Sequence, residues 1–340
     1  MINAAIIGIG GWGQNLVNNV QGKSEVIRFV AGATRTPGKA KDYAAKQALV
    51  LYDSYEKVLA DPGIDAVVLA TPHTRHAEQV IAAATAGKHV FCEKPFTLTA
   101  KSANAAIKAC AKAGVTLGVG FNWRFQPALR EIRNMLEDGR LGKLVHLEGN
   151  LCGPSVYRFG QDHWRQVREE GPAGGMTGRG VHIVDAFLYL AGHIESVHAQ
   201  STRQVLDYGL DDTTSMLFQF QSGVTGYLAT IIATAETWRM QVFGSKGWAE
   251  VSGIEHLPTW DLKFCFVDFQ HPHIHQNPQI VRFEPMRTER AELENFANAA
   301  AERRPLAIAG GDEAHGVAVL EAILKSAKER KTVRISRAKA

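Results

Sequence analysis

A chain of 340 residues is too long for one comfortable hydrophobic core, which predicts two domains. A 45% hydrophobic and 21% charged composition excludes a disordered chain, and no apolar stretch reaches the roughly 18 residues a membrane helix needs. The formal net charge of +4 is carried by no internal Lys/Arg block, which argues against a nucleic-acid surface; the basic tail around Lys328 to Lys339 reads as a solvated end.

The four cysteines, Cys92, Cys110, Cys152 and Cys265, lie far apart without metal-ligand spacing. No secretory apolar segment precedes the first strand, so the cytoplasm is the expected address. Ala4 to Ile9 reads as a strand buried on both faces, followed by glycines and then by Leu16, Val17 and Val20 at helical spacing. Further strand-like runs are Ile27 to Ala33, Asp65 to Ala70, His89 to Cys92 and Val115 to Val119. Helical patterns stand between them, clearest in Ala77, Val80, Ile81 and Ala84, and again in Ala106, Ile107 and Cys110. Strands alternating with helices predict a doubly wound parallel sheet with its ligand at the carboxyl ends of the strands.

Between the first strand and first helix stands Gly8-x-Gly10-x-x-Gly13, with Gly11 and Trp12 inside it. Gly8 permits a tight turn, Gly10 lets a pyrophosphate approach the backbone, and Gly13 allows helix and sheet to pack closely. At the end of the second strand, where an acid would bind the 2′-hydroxyl of NAD, the chain reads Thr34-Arg35, with Lys39 close by. A hydroxyl beside a guanidinium suits a 2′-phosphate. The expected cofactor is therefore NADP(H), with NAD(H) possible if the backbone alone holds the nucleotide.

After Phe121 the texture changes. A helix is expected from Pro127 to Asp138, then strands of period-two alternation: Leu144 to Leu151, Val197 to Arg203, Thr214 to Phe220, Val224 to Thr230, Arg239 to Phe243, Trp248 to Val251 and a strand around Leu262 to Phe266. Gln221-Ser222-Gly223 and Ser245-Lys246-Gly247 read as hairpin turns. Helices around His182 to Leu190 and Asp312 to Arg330 are candidates to cover one face of an open, mostly antiparallel sheet. A partly apolar second face would invite subunit pairing. The expectation is α/β: a Rossmann domain over 1–121, then an α+β substrate-binding and oligomerisation domain over 122–340. His271-x-His273-x-His275 sits in a proline-containing loop and reads as solvated, so no metal is expected.

Five motifs stand in order: the glycine loop, Thr71-Pro72-His73-Thr74-Arg75-His76, Glu93-Lys94-Pro95, Asn122-Trp123-Arg124-Phe125-x-Pro127, and Gly180-Val181-His182-x-x-Asp185. With them the whole chain resembles the glucose–fructose oxidoreductase / inositol dehydrogenase / rhizopine-catabolism (Gfo/Idh/MocA) family of nicotinamide-dependent oxidoreductases. The resemblance implies chemistry in a cleft between the two domains, and homodimers or homotetramers built through the C-terminal sheet. It implies that Thr71, Pro72, His73 and His76 lie beside the cofactor, and that Glu93 and Lys94 flank the nicotinamide. Lys94 would bind the reacting oxygen and precede a cis proline, and His182 would exchange the proton. Asn122, Arg124 and the loop pair Trp164-Arg165 would line or close over the substrate, and Asp185 would either orient the His182 imidazole or hold a substrate hydroxyl.

These residue types suit alcohol–ketone interconversion: a histidine titrates near neutrality, and an ammonium stabilises alkoxide charge. The expected substrate is a small molecule, a secondary alcohol or ketone of a sugar, polyol or cyclic dihydrodiol. Two features depart from the family pattern. Gly178 stands four residues before His182, where many members carry aspartate, and His73 stands where asparagine is frequent. Arg179 beside Gly178 reads either as an anion-recognising residue or as a surface arginine. Two other readings stay open, a non-enzymatic dinucleotide-sensing regulator and a redox-neutral, nicotinamide-assisted glycoside cleavage.

Overall fold

Runs of Ile, Val, Ala and Leu without polar alternation make strands that need cover on both faces. In the computed structural model, which describes residues 1–160, 163–207, 209–304, 306 and 312–335, such runs form the first sheet. The end of the basic tail, residues 336–339, lies outside the described residues. The elements run β1 (Ile2–Ile7), α1 (Gly11–Val20), β2 (Ile27–Ala33), α2 (Pro37–Lys46), β3 (Val50–Tyr52), α3 (Tyr55–Ala60), β4 (Ala66–Leu69), α4 (His76–Thr85), β5 (His89–Cys92), α5 (Ala100–Ala113) and β6 (Leu117–Val119). The strands form a parallel sheet in the order β3-β2-β1-β4-β5-β6. The order reverses between β1 and β4, which places a ligand crevice at their carboxyl ends. β1 ends at Ile7, two residues before the expected end, because Gly8 turns with φ +97°.

The second series is α6 (Pro127–Glu137), β7 (Leu144–Cys152), α7 (Ser155–Arg158), α8 (Val181–Ala191), β8 (Ile194–Thr202), β9 (Thr213–Phe220), β10 (Thr225–Ile231), β11 (Thr237–Gly244), β12 (Gly247–Gly253), β13 (Asp261–Phe266) and β14 (Gln279–Arg282). Then follow α9 (Thr288–Ala301), α10 (Asp312–Glu329) and β15 (Val333–Arg334). The second sheet runs β14-β13-β12-β11-β7-β10-β9-β8-β15. Its pairs are antiparallel except β7 with β10. Both expected hairpins are present, one turning at Gly223 with φ +88° and one closing Gly244 on Gly247.

α8 covers one face so closely that a Cβ on Gly149 of β7 would stand 2.7 Å from Ile183. The other face carries Leu217, 57% exposed, and its cross-strand partner Tyr227.

The chain divides into two compact units that are not consecutive stretches: Met1–Asn122 with Arg287–Val317, and Trp123–Met286 with the chain from Ala318 onward. The segment from Arg287 to Val317, expected in the second domain, thus belongs to the first unit. The reason is packing: Leu293, Phe296, Ala297 and Ala300 of α9 join Ile6, Leu16, Val17, Val68 and Phe91 in one core cluster. The opposite face of the sheet is covered by Val80, Ala83, Ala103 and Ala106 of α4 and α5.

Phe296 is fully buried and meets Phe91 edge-on at 5.6 Å. Phe296→Ala is expected to cost about 3–5 kcal/mol, read as a lower urea midpoint. In the second unit, Asp212, only 1% exposed, accepts from the backbone N–H groups of Gln204, Val205 and Leu206 at 2.8, 2.7 and 3.1 Å. Burial alone would raise its pKa, but these donors outweigh it and hold the carboxyl below its usual range. A depressed folded pKa means the stabilisation is full above about pH 4 and is lost as pH falls through the folded value. Asp212→Asn should therefore melt below wild type at pH 7, with the gap closing toward pH 3.

Candidate active site

The glycine loop is shaped by close approach. A Cβ on Gly8 would lie 2.5 Å from the Ala70 carbonyl oxygen, and one on Gly13 would lie 2.0 Å from that of Gly8. At Gly10 and Gly11 a Cβ would meet nothing within 4 Å, so this backbone lies open. α1 starts here without a side-chain cap and without an acid in its first turn. Its amino-terminal N–H groups and positive dipole end are available to an anion. An open glycine backbone at a bare helix start fits a dinucleotide pyrophosphate.

Thr34 is half-buried at the end of β2, and Arg35 and Lys39 are exposed beyond it. α2 also lacks an acid in its first turn. At the end of β4, Thr71 donates to Gln79 at 2.5 Å. The ring of His76, fully buried, bridges the carbonyl oxygens of Thr71 at 3.0 Å and Pro95 at 2.9 Å. It thereby ties the β4 loop to the loop carrying Lys94. Pro72 opens a short turn, and the half-buried His73 meets the His76 ring edge-on at 5.9 Å.

Lys94 follows β5, and its peptide to Pro95 is cis. Its ammonium stands 6.0 Å from the centre of the Trp12 ring, a cation–π distance. Glu93 is 4% exposed and packs over Gly120, where a Cβ would come within 3.0 Å of the carboxyl carbon. Burial pushes the Glu93 carboxyl up, against the opposing pull of the Lys94 charge and the Trp12 indole N–H. One Glu93 oxygen accepts the Lys94 backbone N–H at 3.3 Å. Among the described residues, neither Glu93 Oε1 nor Trp12 Nε1 completes a hydrogen bond of good geometry. We read the Trp12–Glu93 contact as electrostatic, not as a formed hydrogen bond. Cys92, buried beside them, has its thiol pushed up by burial and stays neutral. Asn122, 1% exposed, donates from Nδ2 to Thr288 Oγ1 at 2.9 Å.

In the second unit His182 occupies the first turn of α8, after a π-helical turn at Met176–Gly180. Its buried ring stacks on Trp123 at 5.2 Å with 13° between planes, and His256 lies 5.8 Å away. The Trp123 indole donates to His256 Nδ1 at 3.3 Å, and Gln126 donates to the His256 carbonyl at 2.8 Å. Arg124 and Asp185 form a buried bidentate pair, Nε to Oδ2 at 2.8 Å and Nη2 to Oδ1 at 2.7 Å. Arg179 pairs with Glu236 at 2.7 Å, and Arg158 pairs with the same carboxylate. Trp164 and Arg165 stack on each other at 4.3 Å, with Phe159 also facing the guanidinium at 5.4 Å.

The first unit thus gathers the glycine loop, Trp12, Thr71, His76, Glu93, Lys94 and Asn122. The second gathers His182 with Trp123 and His256, and joins Arg124 to Asp185. Arg179 faces a carboxylate of its own chain. His256, Glu236 and Thr288 carry no motif; each is a lone polar residue whose place emerges only from the fold. Among the described residues, no three His, Cys, Asp or Glu side chains converge as a metal site, and His271, His273 and His275 are exposed. No helix among them is long and apolar enough to cross a membrane.

Comparison with known proteins agrees with this construction. Residues 2–121 match the model of the oxidoreductase family with NAD-binding Rossmann fold, and residues 129–250 match the GFO/IDH/MocA C-terminal domain. The chain is 30% identical to the scyllo-inositol 2-dehydrogenase (NAD(+)) of Bacillus subtilis over 269 residues, covering 75% of this chain and 72% of that protein. It is 30% identical over 301 residues to D-xylose 1-dehydrogenase (NADP(+)) 2 of Haloferax volcanii, covering 86% and 87%. The crystal structure of a putative NADPH-dependent oxidoreductase from Desulfitobacterium hafniense superposes with a TM-score of 0.89 at 23% identity, covering 98% of this chain and 97% of that one. On these matches the chain belongs to the Gfo/Idh/MocA family of NAD(P)-binding oxidoreductases.

Proposed function

We propose that this enzyme interconverts a secondary alcohol and a ketone on a sugar, polyol or cyclic dihydrodiol, with Lys94 binding the reacting oxygen and His182 exchanging its proton. The observation that carries the reading is the pair Glu93–Lys94 at the carboxyl end of β5, on the same sheet edge as the open glycine loop. A bound nicotinamide dinucleotide supplies the hydride acceptor or donor. Lys94 places a positive charge where alkoxide charge develops. Glu93, whose carboxyl accepts the Lys94 backbone N–H, holds the Lys94 segment in place at the end of β5. His182 takes or returns the hydroxyl proton, a role its intrinsic titration range suits. The named activities of the two relatives, on scyllo-inositol and D-xylose, support a polyhydroxylated substrate.

NADP(H) is the cofactor we favour. Thr34 and the exposed Arg35 stand at the end of β2, and no acid follows in the first turn of α2 to repel a 2′-phosphate. Arg179, already paired with Glu236, fits a structural cation better than an anion receptor. We place a homo-oligomeric contact on the open face of the second sheet, where Leu217 and Tyr227 lie exposed. The free cysteines suit the reducing cytoplasm.

Lys94→Ala should lower kcat by about 10²–10³-fold, and His182→Ala by about 10²–10⁴-fold, in an absorbance assay of NADPH formation with polyols and sugars. Full activity in either variant removes that residue from the chemistry. Arg35→Ala should weaken NADP binding roughly ten- to a hundredfold while leaving NAD unchanged. Equal affinities before and after the change would end the case for a phosphate contact. Tight NADPH binding without net turnover on any substrate would favour the regulator or the redox-neutral cleavage.

A further inference from the structure

Asn122 stands three residues beyond β6, at the carboxyl edge of the first sheet, and its side chain is almost completely buried. Its amide nitrogen donates to Thr288 Oγ1 at 2.9 Å. The Thr288 hydroxyl in turn donates to Glu289 Oε2 at 3.4 Å, and Asn15 of α1 donates to Glu289 Oε1 at 3.2 Å. A carboxylate only accepts, so Glu289 directs the Thr288 proton toward itself. The Thr288 oxygen must then accept, which requires the amide nitrogen of Asn122 on that side and turns its carbonyl oxygen the other way. That oxygen, Asn122 Oδ1, is buried and has no hydrogen-bond partner among the described residues. An unfilled buried acceptor is costly in a finished structure and points to a donor that arrives with a ligand.

We propose that Thr288 and Glu289 of α9 are positioning residues that orient Asn122, so that its carbonyl oxygen accepts an N–H of the nicotinamide carboxamide. This rests on the reading of the first unit as a dinucleotide site. The pyrophosphate belongs at the β1–α1 turn and the adenosine ribose at the end of β2. The nicotinamide half then extends along the sheet edge toward β4, β5 and β6, where Asn122 lies. Donors on that half are the carboxamide NH₂ and the ribose hydroxyls, and the orphan oxygen takes the first. The role of α9 is more than cover: it carries the two side chains that set the amide.

The test is calorimetric titration of the full chain with NADP and with its 3-acetylpyridine analogue, which keeps the carbonyl but lacks the N–H donors. Wild type should bind NADP roughly tenfold more tightly than the analogue. Thr288→Val, which keeps shape but cannot accept from the amide, should bring that ratio close to one, and Thr288→Ser should restore it. Asn122→Ala, which removes the acceptor itself, should abolish the preference independently and covers the case in which Thr288→Val fails to fold. A wild-type ratio near one, or an unchanged ratio in well-folded Thr288→Val or Asn122→Ala, would overturn the proposal while leaving dinucleotide binding intact. Failure of wild type to bind either compound would overturn the dinucleotide reading and this proposal together.

Discussion

A parallel sheet has no face that water can occupy, and the first unit is arranged around that constraint. α4 and α5 cover one side; the other is covered by α1 together with α9, a helix recruited from far along the chain. The contact between Phe91 of β5 and Phe296 of α9 joins the strand that ends in Glu93 and Lys94 to the helix that begins with Thr288 and Glu289. Because the same helix fills the core and presents polar side chains at its first turn, the site inherits its precision from hydrophobic burial. Rigid elements hold functional groups better than loops do.

The polar groups at the sheet edge are held in an unusually dry setting. Glu93, Asn122 and Glu289 are each 5% exposed or less. Taking a carboxylate out of water is expensive unless charge and hydrogen bonds compensate. For Glu93 the compensation is partial, a neighbouring ammonium and one backbone N–H, and burial still wins by raising its pKa. For Glu289 it is fuller, with Asn15 and Thr288 both donating. A site that leaves acceptors short of donors is prepared for a ligand that brings N–H or O–H groups of its own.

Much of this was legible in the residues. Period-two alternation marked the strands of the second sheet, and the glycine spacing marked the turn after β1, because both rest on local backbone geometry. α9 was not legible, since its buried face mixes Leu293 and Phe296 with Thr288, Glu289 and Glu292. An apolar period breaks wherever polar residues are buried on purpose. For the same reason His256, in an irregular loop, gave no sign that it would meet Trp123 and His182. The Arg124–Asp185 pair was visible as two site candidates, but their mutual saturation depends on distances that no spacing rule contains.

The position four residues before His182, Gly178, shows where steric and chemical explanations part. A glycine in place of the family's frequent aspartate would be unremarkable if packing demanded it. Packing does not: a Cβ on Gly178 would meet nothing within 4 Å. The backbone there runs through a π-helical turn, Met176–Gly180, a feature that often accompanies functional sites. With space available and no side chain filling it, the missing carboxylate is a matter of chemistry. Two aromatic rings pack on His182, Trp123 stacked on one face and His256 tilted beside it. Such neighbours constrain the orientation of an imidazole by shape. The ring packing with Trp123 and His256 thus takes over, within the second unit, part of the orienting task that a carboxylate at position 178 could have performed.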